Sequence, residues 1–400
     1  MSLDLGKTAA QVPGLARHLR ERVGAKANTL ERALAALGKA DPANVERRRS
    51  AGKVTWLVAG LDGALARTMP RPPLPPDHVV VAVDGSHIDV DRHSPARCYL
   101  INLGHVLLRY GEQPDAWLWN TPSLHAADNE LALADPSSVL DVPVEGPLLG
   151  MRRAVREVEA LADLVDAAPP DLPVVALLDG SLILWGLTGA TYPDFVRDAL
   201  LANGLLLALD RLRAAARTRT LAVASYVSLP RSTDVINALR LHVCPHEPVD
   251  CDAHCRALPT AGRPCDAVGG LTDTELFSAS LGDGERSALF RSTSSVVANH
   301  YAGHAVSFFY VDAGDEVGRV ELPAWSADDP AALDLLHAVL LTQVEKGHGY
   351  PVALQEAHEQ AVVSTGDREL FAQLVDEALV EQGLPIETSA KARSKRTRFV

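Results

Sequence analysis

The sequence has no uninterrupted apolar stretch of transmembrane length, which excludes a membrane-spanning helix of about 20 residues. Its start, MSLDLGKTAAQVPG, lacks the basic and apolar regions of a secretory signal, so residence in the cytoplasm with no membrane partner is expected. Cysteine is scarce, with 5 in 400 residues. In such a chain thiols or metal ligands are expected rather than a disulfide framework. Basic charge is also in deficit: 38 Lys and Arg face 51 Asp and Glu, a formal net charge of −13. That argues against a broadly basic surface binding nucleic acid by counterion release. It leaves room for a metal-dependent nuclease, which gathers acidic groups at its centre and keeps basic ones in a channel or tail. Lys391, Arg393, Lys395, Arg396 and Arg398 form such a cluster, in a basic tail over 386–400.

What is present is a hydrophobic content of 47%, enough for a sizeable core, and a length that allows two or three domains or one domain with appendages. One tripeptide occurs twice in a telling place. Val79-Val80-Val81-Ala82-Val83 runs into Asp84-Gly85-Ser86, and Val174-Val175-Ala176-Leu177-Leu178 runs into Asp179-Gly180-Ser181. Short β-branched runs of this kind predict buried central strands. Each strand then delivers a carboxylate, Gly permits a sharp turn, and Ser can bond to backbone or to a phosphate. If the strands are neighbours the two Asp converge, and close carboxylates require a raised pKa or a divalent metal.

Residues 1–68 read as a helical N-terminal arm, with Leu15, Leu19, Leu30, Leu34 and Leu37 at helical spacing and a second piece through Val54, Leu57, Val58 and Leu61. A Pro-rich linker over 69–78 follows. The domain at 79–385 opens with the first Asp-bearing strand. Apolar runs at Cys98–Tyr110 and Ala116–Trp119 predict antiparallel returns. A helix from about Leu148 to Val165 leads to the second Asp-bearing strand. The order β-β-β-α-β, with acids on the first and fourth strands, is that of a ribonuclease-H-like α/β fold, a mixed sheet flanked by helices. A Glu in the first half of the intervening helix can reach between the two Asp residues. Glu157 is preferred because Val158 and Leu161 beside it look buried, with Glu159 in reserve.

Four of the five cysteines fall in one insertion, about 244–270. Cys244, Cys251, Cys255 and Cys265 supply four thiolates, enough for a zinc site or a 4Fe–4S cluster, with His246 or His254 as substitutes. The spacing lacks paired Cys-x2-Cys knuckles, and the Cys-Pro start leans towards iron–sulfur. Near the end, His358 shares a helix face with Leu354, where a histidine alone reads as a hydrogen-bonded core residue.

Four segments together resemble the NurA nuclease domain family over about residues 79–378. They are Asp84-Gly85-Ser86, the Arg- and Glu-bearing helix before Leu178-Asp179-Gly180-Ser181-Leu182, Arg319-Val320-Glu321-Leu322-Pro323 with Trp325, and Gly349-Tyr350-Pro351 with Leu354, Ala357 and His358. The resemblance implies a ribonuclease-H-like fold and a homodimer. It also implies a manganese-dependent DNA nuclease, a single-strand endonuclease and 5′-to-3′ exonuclease. Such an enzyme works on single strands and duplex ends with the hexameric ATPase HerA, in end processing, repair or defence. It further implies that Asp84, Glu157 and Asp179 ligate the catalytic metals, two Mn2+ per site or Mg2+ in their place, and that His358 joins them. A tyrosine belongs to the family pattern: Tyr226 fits best, with Tyr310 in reserve. Where a basic residue is expected after the Tyr226 segment, this chain has Ser228. Two other readings compete. An actin- or sugar-kinase-like ATPase also sets acidic turns at two strand ends, and an inactive scaffold would dock on HerA without cutting.

Overall fold

The computed structural model describes residues 4–90, 96–189, 192–259 and 262–384. The basic tail expected over 386–400 lies outside them. The chain divides into two units, one of Met1–Arg71, Val227–Ser294 and Val306–Glu321, the other of Pro72–Tyr226, Ser295–Ala305 and Leu322–Val400. No described helix is long and apolar enough to cross a membrane.

The second unit is built on five strands. Strands β1 (His78–Ile88), β2 (Tyr99–Tyr110) and β3 (Asp115–His125) form an antiparallel meander. Helix α1 (Pro147–Ala167) follows, then β4 (Val174–Asp179) and β5 (Leu221–Val227), both parallel to β1. The spatial order is β3-β2-β1-β4-β5. Val79–Val83 and Val174–Leu177 are fully buried, as expected of strands covered on both faces. Strand β3, at the edge, is exposed over most of its length. Among its further helices are α2 (Pro330–Lys346) and α3 (Val352–Ala361). This is the mixed sheet flanked by helices of a ribonuclease-H-like fold, and the β-β-β-α-β order read from the sequence is the order present.

Successive strand residues face opposite sides, and two glycines show which helix lies where. A Cβ at Gly104 would stand 2.1 Å from the carbonyl oxygen of Ala357 in α3. One at Gly85 would stand 2.5 Å from Glu157 Oε1 in α1. Helix α3 therefore lies against the face of Gly104 and its cross-strand partner Asp84, and α1 against the face of Gly85.

The other unit differs from the expected all-helical arm. A helix spans Val12–Lys39 and another Pro42–Ala51, the latter started by Asp41, whose side chain accepts from the amides of Ala43 and Asn44. Beyond Gly52 the expected second helical piece is extended, with Gly60–Leu61 paired to Phe290–Arg291 and Thr68–Met69 paired to Arg286–Ser287. The physical reason is local. A Cβ at Gly52 would meet the Arg48 carbonyl at 2.6 Å, Lys53 donates its amide to Val249, and Val54, Thr55, Trp56 and Val58 are poor helix formers. Leu37, Val45, Val58 and Leu61 then join one core with Leu239, Phe277, Phe290 and Phe308. Leu15 and Leu19 stay exposed.

Candidate active site

Strand register brings the two repeated tripeptides together. Val83 is aligned with Leu178 on the adjacent parallel strand, so Asp84 and Asp179, the next residue of each, stand side by side. Adjacent strands lie about 4.8 Å apart. The two copies differ in backbone. Gly180 has φ +82°, a left-handed conformation that glycine adopts freely, and its amide donates to the Tyr226 carbonyl as the chain turns off β4. Gly85 instead lies inside β1, which runs on to Ile88. Its missing side chain makes room for Glu157. Neither serine is free for a phosphate: Ser86 donates to the Ala361 carbonyl at 2.5 Å, and Ser181 Oγ accepts from the Ile183 amide and the Trp185 indole.

Glu157 is buried, whereas Glu159 is paired with Arg156 at the surface. Burial in α1 and the nearby negative charges of Asp84 and Asp179 push the Glu157 carboxyl up to about 8, against the pull of Arg153. The Arg153 guanidinium lies 3.0 Å from Glu157 Oε1 as an ion pair, but the two atoms are poorly aligned and Oε1 accepts no hydrogen bond. Arg153 also donates to the Gly85 carbonyl at 2.7 Å. Without a metal, then, Glu157 holds a proton at neutral pH.

Helix α3 brings His358 over Asp84, with Nδ1 2.8 Å from Oδ2. The end of α3 is held by Ser86 and by Asn102, which donates to the Gln360 and Ala361 carbonyls. Its start is held by Gln343, buried in α2, which accepts from the Ala353 amide and donates to Tyr110. Tyr350, just before α3, donates to Asp179 Oδ1 at 2.8 Å.

The structure therefore brings together Asp84, Glu157, Asp179 and His358, four of the five residues expected at the site. Tyr226 lies opposite Asp179 on β5 with its side chain wholly buried, and its ring meets Tyr350 edge-on at 5.7 Å. Tyr310 is elsewhere, buried in the other unit and donating to Asp273. There Arg319 bonds to Asp234 and Glu321, so this part of the Arg-Val-Glu-Leu-Pro segment has a packing role. Sequence reading missed Arg153 and Tyr350 as site residues. The i, i+4 spacing of Arg153 and Glu157 was the available signal for the first; Tyr350 stood inside a recognised motif without a partner to give it a role.

Three carboxylates, of which Glu157 is paired with Arg153 and has an unsatisfied buried oxygen, make a hard-oxygen donor set that suits a divalent cation such as manganese or magnesium. Among the described residues, no group of three or more His, Cys, Asp or Glu is drawn together closely enough to hold a metal as it stands. Binding would require Glu157 to lose its proton and turn from Arg153.

Among solved structures, a crystal structure of NurA with manganese is 13% identical with a TM-score of 0.35, covering 77% of this chain and 91% of that one. A crystal structure of NurA gives 13% identity, a TM-score of 0.36 and coverage of 78% and 90%. The catalytic domain of human endonuclease V gives 13%, 0.30, 85% and 95%. No curated protein matches the chain. The family model of the NurA domain matches residues 78–363, most of the chain and every residue of the site described above, and this protein belongs to the NurA family.

Proposed function

We propose that the protein is a metal-dependent DNA nuclease that hydrolyses phosphodiester bonds at the Asp84–Asp179 site. Family membership supports a nuclease. The observation that carries the reading further is the convergence of Asp84, Asp179 and Glu157 at neighbouring strands, with His358 seated on Asp84. Hydrolysis breaks one P–O bond to the leaving oxygen and forms another from water; the water loses a proton and the leaving oxygen gains one. A pair of manganese or magnesium ions, when bound, would supply a nucleophilic water and stabilise both oxygens. Asp84, Asp179 and Glu157 are the residues that would hold them. His358 has Nδ1 engaged by Asp84, so Nε2 is the atom that can pass a proton to the leaving oxygen. Tyr350 orients the Asp179 carboxylate, and the buried Tyr226 ring supports Tyr350.

Single-strand endonuclease and 5′-to-3′ exonuclease action, on single strands and duplex ends, belongs to the same proposal. So do a homodimer and coupling to a HerA-type hexameric ATPase. The test is cleavage of labelled single- and double-stranded DNA by wild type and Asp179→Asn, with manganese or chelator, alone and with the HerA-type ATPase plus ATP. Manganese-dependent cutting that is lost in Asp179→Asn is expected. Silence of the wild type under every condition would overturn the reading in favour of an inactive scaffold.

A further inference from the structure

The four cysteines of the 244–270 insertion come from three separate pieces of local structure and line one cavity. Cys244 follows the helix Asp234–Val243, Cys251 and Cys255 are four residues apart on one face of the helix Cys251–Cys255, and Cys265 lies in the 3-10 turn Pro264–Ala267. All four border a small cavity of about 10 Å³ together with Trp56, Arg240 and His246. Cys251, Cys255 and Cys265 are buried, and none of the four is in a disulfide. Cys251 lies within electrostatic reach of the other three thiols. The fifth cysteine, Cys98, belongs to the other unit.

The surroundings are arranged for negative charge. Arg240 donates towards Cys265 Sγ at 3.5 Å and to Asp266 at 2.8 Å. Its guanidinium stacks on the Trp56 ring at 3.8 Å, and its buried Nε has no partner. Burial pushes the Cys251 and Cys265 thiols up, and Arg240 pulls against it at Cys265, so a cation beside one of the four sulfurs helps to offset the excess charge of a tetrathiolate centre once an ion binds. The backbone is pinned as well. Arg48, itself buried, donates to the carbonyls of Leu241, His242, Cys244 and His246. Lys53 accepts from the Cys251 amide and donates to Val249. Among the described residues between Val243 and Thr272, the regular structure is one five-residue helix and one 3-10 turn, too little to order such a segment on its own.

We propose that Cys244, Cys251, Cys255 and Cys265 form a structural site for a single thiophilic divalent ion of the zinc class. Closed four-thiolate sites bind zinc tetrahedrally and contribute folding free energy directly. The cavity has room for about one water molecule, which suits one ion. The thiols are not at ligand distance as they stand. Rotation of the side chains into the cavity they already share is the movement by which they would close on an ion. Binding releases the thiol protons and leaves all four sulfurs bound to the ion, with no change of oxidation state. The site is separate from the manganese-type site, which offers oxygen donors instead of sulfur.

The test is the metal content of purified full-length protein by elemental mass spectrometry, together with the visible spectrum after cobalt exchange. About one zinc per chain is expected, released when a mercurial reagent blocks the thiols. Cobalt should give the intense absorption of tetrahedral thiolate coordination. Cys251→Ser with Cys255→Ser should reduce zinc to under about one tenth of the wild-type content, while Cys98→Ser and Asp179→Asn keep it. The spectrum of the wild type answers the question even if the double variant does not fold. A metal-free wild type that takes up neither zinc nor cobalt would overturn the proposal. So would iron and sulfide in stoichiometric amounts, or zinc that is lost in Asp179→Asn and kept in the cysteine variant.

Discussion

His358 Nδ1 lies 2.8 Å from Asp84 Oδ2 across a separation of 274 residues. The imidazole side chain is 60% exposed and the carboxylate 13% exposed, so the pair has one end in the protein and the other open to substrate. With the imidazole this exposed, the pair contributes about 1 kcal/mol or less to stability. His358→Gln should lower the rate of the cleavage step by about 10²–10⁴-fold with little change in melting temperature. Single-turnover cleavage under saturating manganese measures this; a rate equal to wild type would remove His358 from the proton transfer.

Tyr350→Phe removes the hydrogen bond to Asp179 Oδ1 but keeps the ring against Tyr226. A hydrogen bond of this type is worth about 1 kcal/mol. The manganese concentration for half-maximal cleavage should rise roughly fivefold, a change equal to that energy, with an unchanged denaturation midpoint. Titration of both proteins with manganese decides it.

Glu157 gives the metal-free protein a pH dependence of definite sign. Its folded pKa, pushed up to about 8, lies above the ordinary carboxylate value of 4.5, so the native state holds the proton where the unfolded state has lost it. The stability this contributes is fully present below pH 4.5 and is lost as pH rises towards 8, by up to about 1.4 kcal/mol per pH unit. Urea melts in chelator at several pH values should show that slope, and Glu157→Gln, which has no carboxyl proton to lose, should flatten it. Manganese competes with the same proton, so its apparent affinity should increase with pH over the same window.

Gly104→Ala would place a methyl group 2.1 Å from the Ala357 carbonyl and 2.6 Å from the Ala361 amide. Backbone cannot give way as a side-chain tip can, so α3 must move off β2. Overpacking of this kind costs about 1–3 kcal/mol, and the shift separates His358 from Asp84. A lower denaturation midpoint together with a loss of cleavage similar to that of His358→Gln is expected. Wild-type cleavage rates in a folded Gly104→Ala protein would contradict the helix placement.

Arg319 is the positive centre of a buried network in the other unit. It donates to Asp234 at 2.7 Å and to Glu321 at 2.9 Å, and Tyr310 donates to Asp273, which in turn accepts from the amides of Val235 and Ile236. Arg319→Met would leave Asp234 and Glu321 buried without their guanidinium, at a cost of about 3–5 kcal/mol. Equilibrium urea denaturation measures the loss; a midpoint unchanged from wild type would show that the network is not needed for stability.

The sequence by itself determined the strands that matter. Short runs rich in β-branched residues, such as Val79–Val83 and Val174–Leu178, read as buried central strands, and each run is followed by an Asp. The order of strands along the chain, the intervening helix and the burial of Glu157 were legible for the same reason: burial leaves a pattern along the chain. The tertiary structure alone decided which distant residues complete the site. His358 alone reads as a core histidine, and its place on Asp84 depends on Gly104 letting α3 approach the sheet. Tyr350 acquires its role only because Asp179 lies beside it. The extended course of Val54–Leu61 was likewise hidden, because its partners Arg291 and Phe290 come more than two hundred residues later. Local periodicity records which face of an element is buried; it does not record what that face meets, which is set by long-range packing.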